Sequence, residues 1–238
     1  MAEPPPTASS AENGRVGRIS RVLPRGFYAR PTLLVARELL GKRIVHEVGG
    51  QRLSGRIVET EAYIGPDDKA SHARVGNRGR ASIMYGPAGF AYVFLVYGMH
   101  HCFNTVTENE GYPGAVLIRA IEPDDPAERG AGPALVCRAL RIDRSCTGLD
   151  LTRSDPSDLS DLYLDDANAV PDGNVRVGPR VGIDYAGEWA AYPWRFWVAD
   201  SPHVSRRGGT GTILDPTMLR FGLTQGGNGA SATFCPCS

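Results

Sequence analysis

Apolar and polar positions alternate along Arg56-Ile57-Val58-Glu59-Thr60-Glu61-Ala62-Tyr63-Ile64-Gly65 with the period of two that marks a strand. Ile57, Glu59, Glu61 and Tyr63 then share one face, and Val58, Thr60, Ala62 and Ile64 share the other, which suits a core. This run closes a hairpin: Lys42 to Val48 and Gln51 to Tyr63 read as strands on either side of Gly49-Gly50. Upstream, Phe27 to Leu40 carries Leu33, Leu34, Val35, Ala36, Leu39 and Leu40 in a helical pattern that Gly41 can close. Ala91 to Tyr97 and Ala115 to Ile121 are rich in β-branched and aromatic residues and predict strands, joined by an irregular stretch from Gly98 to Gly114. Pro133 to Leu140 predicts a helix. Val177 to Ile183 and Trp194 to Val198 predict strands, and Thr152 to Asp165 a surface loop with a short helix or strand. No repeat occurs at solenoid periods. The most economical fold is α+β: a single domain with a curved, largely antiparallel, open-barrel-like sheet flanked by helices.

Composition sharpens the boundaries. A chain of 238 residues, 42% hydrophobic, can bury a substantial core as one domain. Residues 1–17, rich in Ala, Glu, Pro and Ser, read as a disordered tail. Residues 18–207 read as the folded domain, and 208–238, dominated by Gly, Thr, Ser and Ala, as a flexible tail. No stretch approaches the roughly 20 apolar residues of a membrane span, and the start lacks the charged-then-apolar order of a signal peptide. A cytoplasmic protein is expected. The five cysteines, Cys102, Cys137, Cys146, Cys235 and Cys237, show no disulfide framework and no paired zinc-ligand spacing, so reduced thiols and no metal are expected. Net charge is zero, although nucleic-acid-binding domains usually carry an excess of Lys and Arg. The positive charge is mostly arginine, clustered at Arg74 to Arg80, Arg138 to Arg141 and Arg206-Arg207, while acidic residues concentrate at Asp155 to Asp166. Arginine's planar fork suits phosphate, and an ordinary solvated surface is the other reading.

The candidate chemistry begins with Glu59 and Glu61, whose Cα atoms lie about 7 Å apart on a strand, close enough for one charge to oppose the other. They are either solvated carboxylates on a polar face or the paired acids of a hydrolytic site. His72, in a short helical segment after Gly65-Pro66, can return beside Tyr63, or can be a hydrogen-bonded structural residue. Tyr92, Phe94 and Val96 share one face of their strand, and Tyr97 emerges at the turn before Gly98-Met99, placed to act as core or as a stacking wedge. Asn104 lies in the loop beyond. Arg119 sits inside a strand and needs a partner: Glu59 or Glu61 in an ion pair, or an anchored phosphate or water. A carboxylate base, aromatic plates, an amide and a cation together fit a pocket for a flat heteroaromatic ring.

Arg56 to Gly65, His72, Tyr97-Gly98-Met99, Asn104, Leu117-Ile118-Arg119-Ala120-Ile121-Glu122-Pro123 and Arg180-Val181-Gly182-Ile183-Asp184-Tyr185-Ala186-Gly187-Glu188-Trp189 resemble, in order and spacing, the successive blocks of the alkyladenine (3-methyladenine) DNA glycosylase family. The resemblance runs from about Leu23 to Ser205. It implies a monofunctional repair enzyme that flips an alkylated or deaminated purine from duplex DNA and hydrolyses its N-glycosidic bond, acting as a monomer without metal or organic cofactor. By the same resemblance Glu61 is the general base and Glu59 a supporting residue. Arg119 positions water and nucleotide backbone. Tyr63 and His72 form one wall of the base pocket with Phe94 opposite, and Asn104 excludes the amino group of guanine. Tyr97, with Met99 beside it, enters the DNA as a wedge. Two departures stand out: Phe94 replaces a frequent tyrosine, and Gly132-Pro133-Ala134-Leu135 lacks a frequent lysine. The alternatives are a non-catalytic damage-binding protein and, less readily, a glycoside hydrolase, since two acids on one strand face cannot flank a sugar from opposite sides.

Overall fold

The computed structural model describes residues 21–154, 160–205 and 211–223. Arg25–Tyr28 (α1) and Thr32–Glu38 (α2) precede a hairpin of Arg43–Val48 (β1) and Gln51–Ile64 (β2). Ala91–Val96 (β3), His100–Thr107 (β4) and Gly114–Pro123 (β5) follow, then Pro133–Ala139 (α3), Leu162–Asp165 (β6), Val175–Gly178 (β7), Arg195–Val198 (β8) and Thr212–Ile213 (β9). Among the described residues the strands form one antiparallel sheet in the order β3-β4-β5-β2-β8-β7-β9, with β1 pairing to β2 and β6. The sheet is not closed into a barrel. β2 is its spine: the first half pairs with β1, and the second lies between β5 and β8.

The hairpin forms because Gly49 and Gly50 both adopt positive φ, 59° and 72°, in a two-residue turn whose twist matches the flanking strands. In α2, Leu33, Ala36 and Leu39 fall on one helical face and enter the main core with Ile57, Phe103, Ile118 and Ile121. Gly41 ends this segment at φ 88°, where a Cβ would meet the Asn168 carbonyl at 2.4 Å. The single helix expected over 27–40 is two, because Pro31 donates no hydrogen bond and restricts Arg30, so α2 starts afresh at Thr32.

Three further expectations change. The stretch 98–114 contains β4, whose His, Asn and Thr residues hide its strand character although most of it is buried between β3 and β5. The strand expected over 177–183 ends at Gly178, before Pro179, and Arg180 to Ile183 leave the sheet. In β2 the pairing with β5 shifts on both sides of Glu59. The alternation changes phase at this bulge, so Ile57 joins Ala62 and Ile64 in the core instead of sharing a face with the two glutamates.

Within the stretch expected to be a C-terminal tail, β9 pairs with β7 and Leu214 is buried. The N-terminal tail, Asp155, Arg206-Arg207, Cys235 and Cys237 lie outside the described residues. Cys102, Cys137 and Cys146 are free and buried. No helix among the described residues is long and apolar enough to cross a membrane.

Candidate active site

Beyond the bulge, β2 sends Glu59, Glu61 and Tyr63 to the side of the sheet opposite the main core, where β3, β4 and β5 contribute Phe94, Asn104 and Arg119. Tyr63, His72, Phe94, Asn104, Arg119 and Tyr97 line one cavity of about 530 Å³. The structure thus brings together side chains that are up to 56 residues apart in the chain (Tyr63 to Arg119). Met99 stands 71% exposed in the β3–β4 loop beside Tyr97, which is 88% exposed. Tyr97 has φ 52° and Gly98 φ 70°, so the loop backbone itself holds the ring outward.

The two glutamates are fully buried and differ in their surroundings. Glu59 is saturated: it accepts hydrogen bonds from Arg195 Nε at 2.6 Å, the Ser205 amide at 2.6 Å and the Ser205 hydroxyl at 3.0 Å, with Arg119 Nε at 3.3 Å. Glu61 accepts from the Val181 amide at 2.8 Å and the Tyr63 hydroxyl at 2.9 Å, and Arg119 Nη1 lies 3.5 Å away. Burial raises the Glu61 pKa above the usual carboxylate value, against the pull of Arg119, the Val181 amide and Tyr63. Burial and the Glu61 charge raise the Tyr63 pKa, which keeps the phenol a donor. Arg119 therefore bridges both acids, and its Nε donates to the Ser205 hydroxyl at 3.0 Å. The ion pair read as its ordinary partner exists, and the arginine still faces the cavity.

The aromatic lining is built in a different order from the expected one. His72 sits edge-on to Phe94 with centroids 4.5 Å apart, and its Nδ1 lies 2.7 Å from the Tyr92 hydroxyl. That bond holds His72 on the Phe94 side, so it does not form a wall with Tyr63. Burial, then the charges of Arg80 and Arg74, lower the His72 pKa to about 4, so the ring is neutral at pH 7. Asn104 lies in β4, not in a loop; its amide nitrogen donates to the Tyr92 and Cys102 carbonyls at 3.1 and 3.3 Å. Its amide oxygen is left uncommitted among the described residues.

Tyr63 is fixed from behind by residues that the sequence pattern did not single out. Arg180 lies over the Tyr63 ring at 4.8 Å and over Trp194 at 4.9 Å. It donates to both oxygens of Asp68 at 2.6 and 2.9 Å and to the Ala62 carbonyl at 3.0 Å. Neither side chain of the Arg180–Asp68 pair is exposed. Arg180, Arg195, Ser205 and Tyr92 each act through a partner distant in sequence, and periodicity carries no sign of such pairs. The one sequence signal is the resembling block that begins at Arg180, directly after Gly178-Pro179.

The arrangement is an aromatic, largely apolar cavity with a buried carboxyl close to it, a cation shared between two acids, and an exposed tyrosine among its lining residues. Among the described residues no group of three or more His, Cys, Asp or Glu side chains converges as a metal site.

Residues 26–202 match a family described as methylpurine-DNA glycosylase (MPG). A Myxococcus xanthus protein is 53% identical over 193 residues, covering 77% of this chain and 93% of its own length. One from Methanocella arvoryzae is 48% identical over 200 residues, covering 78% and 96%, and one from Legionella pneumophila strain Corby is 46% identical over 187 residues, covering 78% and 99%. All three bear the name "Putative 3-methyladenine DNA glycosylase".

Proposed function

The chain belongs to the methylpurine-DNA glycosylase family, and from that premise we propose that it excises alkylated or deaminated purines from duplex DNA by flipping the nucleotide and hydrolysing its N-glycosidic bond. The observation that carries this reading is Glu61: a fully buried carboxyl of raised pKa, oriented by the Val181 amide and the Tyr63 hydroxyl, with the cavity-lining Arg119 3.5 Å away.

The target carbon is inaccessible to an in-line water inside a stacked duplex, so the nucleotide must leave the helix at a cost of a few kcal/mol, less for a damaged or mispaired base. Tyr97, held outward by its turn, fills the vacated stack. The extruded base enters among Tyr63, Phe94 and His72, where stacking returns about 1–3 kcal/mol. A cationic alkylated purine gains about 0.5–2 kcal/mol more from the π faces. Phe94 stacks as a tyrosine does and offers no hydroxyl. The raised pKa of Tyr92 keeps its hydroxyl protonated, and it has no other acceptor among the described residues than His72 Nδ1. With the Tyr92 hydroxyl donating to His72 Nδ1, Nε2 carries the ring proton and donates to an acceptor on the purine. Asn104, pinned by its two backbone bonds, cannot swing aside, and its bulk at the cavity wall excludes the exocyclic amino group of guanine.

Cleavage places oxocarbenium-like charge on the sugar. Glu61 in its ionised form takes the proton of the attacking water and stabilises that charge, while Arg119 positions the water and the nucleotide backbone. Glu59 is a positioning residue, because its oxygens hold Arg119, Arg195 and Ser205. No lysine lines the cavity among the described residues, which supports a monofunctional enzyme that leaves an abasic site. A monomer suffices, since one chain supplies the whole site.

The test is single-turnover base release from duplexes containing hypoxanthine, ethenoadenine or 3-methyladenine, with abasic sites scored by alkali. Glu61→Gln is expected to cut release by about 10²–10⁴-fold while duplex binding persists. Lesion-selective binding without release in the native chain would point instead to a damage sensor.

A further inference from the structure

The net charge of zero conceals an uneven distribution. Several arginines outside the site are neutralised by a neighbour: Arg25 by Asp150, Arg30 by Glu38, Arg37 by Asp172, Arg43 by Asp124 and Arg52 by Glu47. One long segment is different. From Lys69 to Thr107 the chain contains no Asp or Glu, and it carries Lys69, Arg74, Arg78 and Arg80. This segment also supplies His72, Phe94, Asn104 and the exposed Tyr97-Gly98-Met99 loop.

Arg74, Arg78 and Arg80 are exposed and have no carboxylate partner among the described residues. They line a second cavity of about 530 Å³, with Val75 and His72. His72 also lines the base cavity, so the two concavities meet at that ring. The charges of Arg80 and Arg74 both bear on His72, which places the guanidinium field at the base pocket rather than on a remote face. Surface arginines are normally paired or dispersed; three unpaired forks around one hollow, in a segment free of acid, form a site complementary to an anion with several acceptor oxygens.

We propose that Arg74, Arg78 and Arg80 form a binding site for the phosphodiester backbone of the DNA strand that carries the flipped nucleotide. The inference rests on the glycosylase reading for the identity of its ligand. It gives this chain a phosphate grip of its own where Gly132-Pro133-Ala134-Leu135 carries no lysine, and it explains how a molecule of zero net charge holds a polyanion: the cations that matter are local and unpaired.

The test is the salt dependence of binding to an undamaged fluorescein-labelled duplex, measured by anisotropy for the native chain and for the Arg74→Gln, Arg78→Gln, Arg80→Gln triple variant and each single variant. The control is Arg52→Gln, an arginine paired to Glu47, nine positions from Glu61 along β2 and so about 30 Å away. The slope of log Kd against log salt is expected to fall by about 1 for each arginine removed and to stay unchanged in Arg52→Gln. Native-like thermal melts establish that the exposed substitutions leave the fold intact. A native slope in a folded triple variant, or an equal loss in Arg52→Gln, overturns the site while leaving the glycosylase reading in place. A native chain that does not bind the undamaged duplex overturns the site, and the glycosylase reading then stands or falls on base release from the damaged duplexes.

Discussion

At the residue scale, the two glutamates show how one strand face yields two different acids. Glu59 is held by three groups and committed to structure, whereas Glu61 pays in stability for being buried behind a cavity wall. Burial lifts the folded-state pKa of Glu61 above its ordinary 4.5. A carboxyl with a raised folded pKa favours folding most when protonated, and that margin is lost as pH rises through the folded pKa. Glu61→Gln is therefore expected to raise Tm at pH 7, with the difference shrinking as pH falls toward 4.5; an unchanged or lower Tm at pH 7 contradicts this assignment. The same shift moves the acidic limb of the release rate to a pH above 4.5, the rate rising as Glu61 ionises. His72 runs the other way. Its folded pKa of about 4 lies below the 6.5 of a free ring, so its contribution to stability is complete above pH 6.5 and is lost as pH falls toward 4. Its imidazole NMR signals are expected to stay flat from pH 8 to 6, and a midpoint near 6.5 would show that the ring is solvated.

At the element scale, the loops after β2 and β7 are joined by Asp68 and Arg180, a pair with no exposed side-chain surface. Removing one partner of such a pair leaves the other charge buried, so Asp68→Ala is expected to cost about 3–5 kcal/mol in urea unfolding. A loss below about 1 kcal/mol would mean that Arg180 is solvated or re-paired. The sequence made the β1–β2 hairpin legible because Gly49-Gly50 and the flanking alternation agree, and α3 legible because Pro133 starts it. It did not reveal β4, since His100, His101, Asn104, Thr105 and Thr107 read as polar although the strand is covered on both sides. Nor did it reveal the bulge at Glu59, because pairing shifts arise between strands and leave no local mark. The block Arg56 to Gly65 exposed the carboxylates, yet the partners that distinguish Glu61 from Glu59 came from Val181, Arg195 and Ser205, 120 to 146 positions away.

At the scale of the whole molecule, the sheet is open and its edges need cover. β9 pairs with β7, and Leu214 is 4% exposed against the main core. Leu214→Ala is expected to lower stability by about 2–5 kcal/mol, as a buried leucine does, and a change under 0.5 kcal/mol would return this segment to the status of a tail. His72, Phe94 and Asn104 of the cavity lining and the exposed β3–β4 loop come from one acid-free segment. Tyr97 takes its direction from a left-handed main chain. The conformational entropy of that turn is surrendered when the chain folds, before any duplex arrives. Under the proposed function, a search along undamaged DNA proceeds with a probe already erect, so that dwell time at each step is expected to follow how easily the base stack yields and not the closing of a loop.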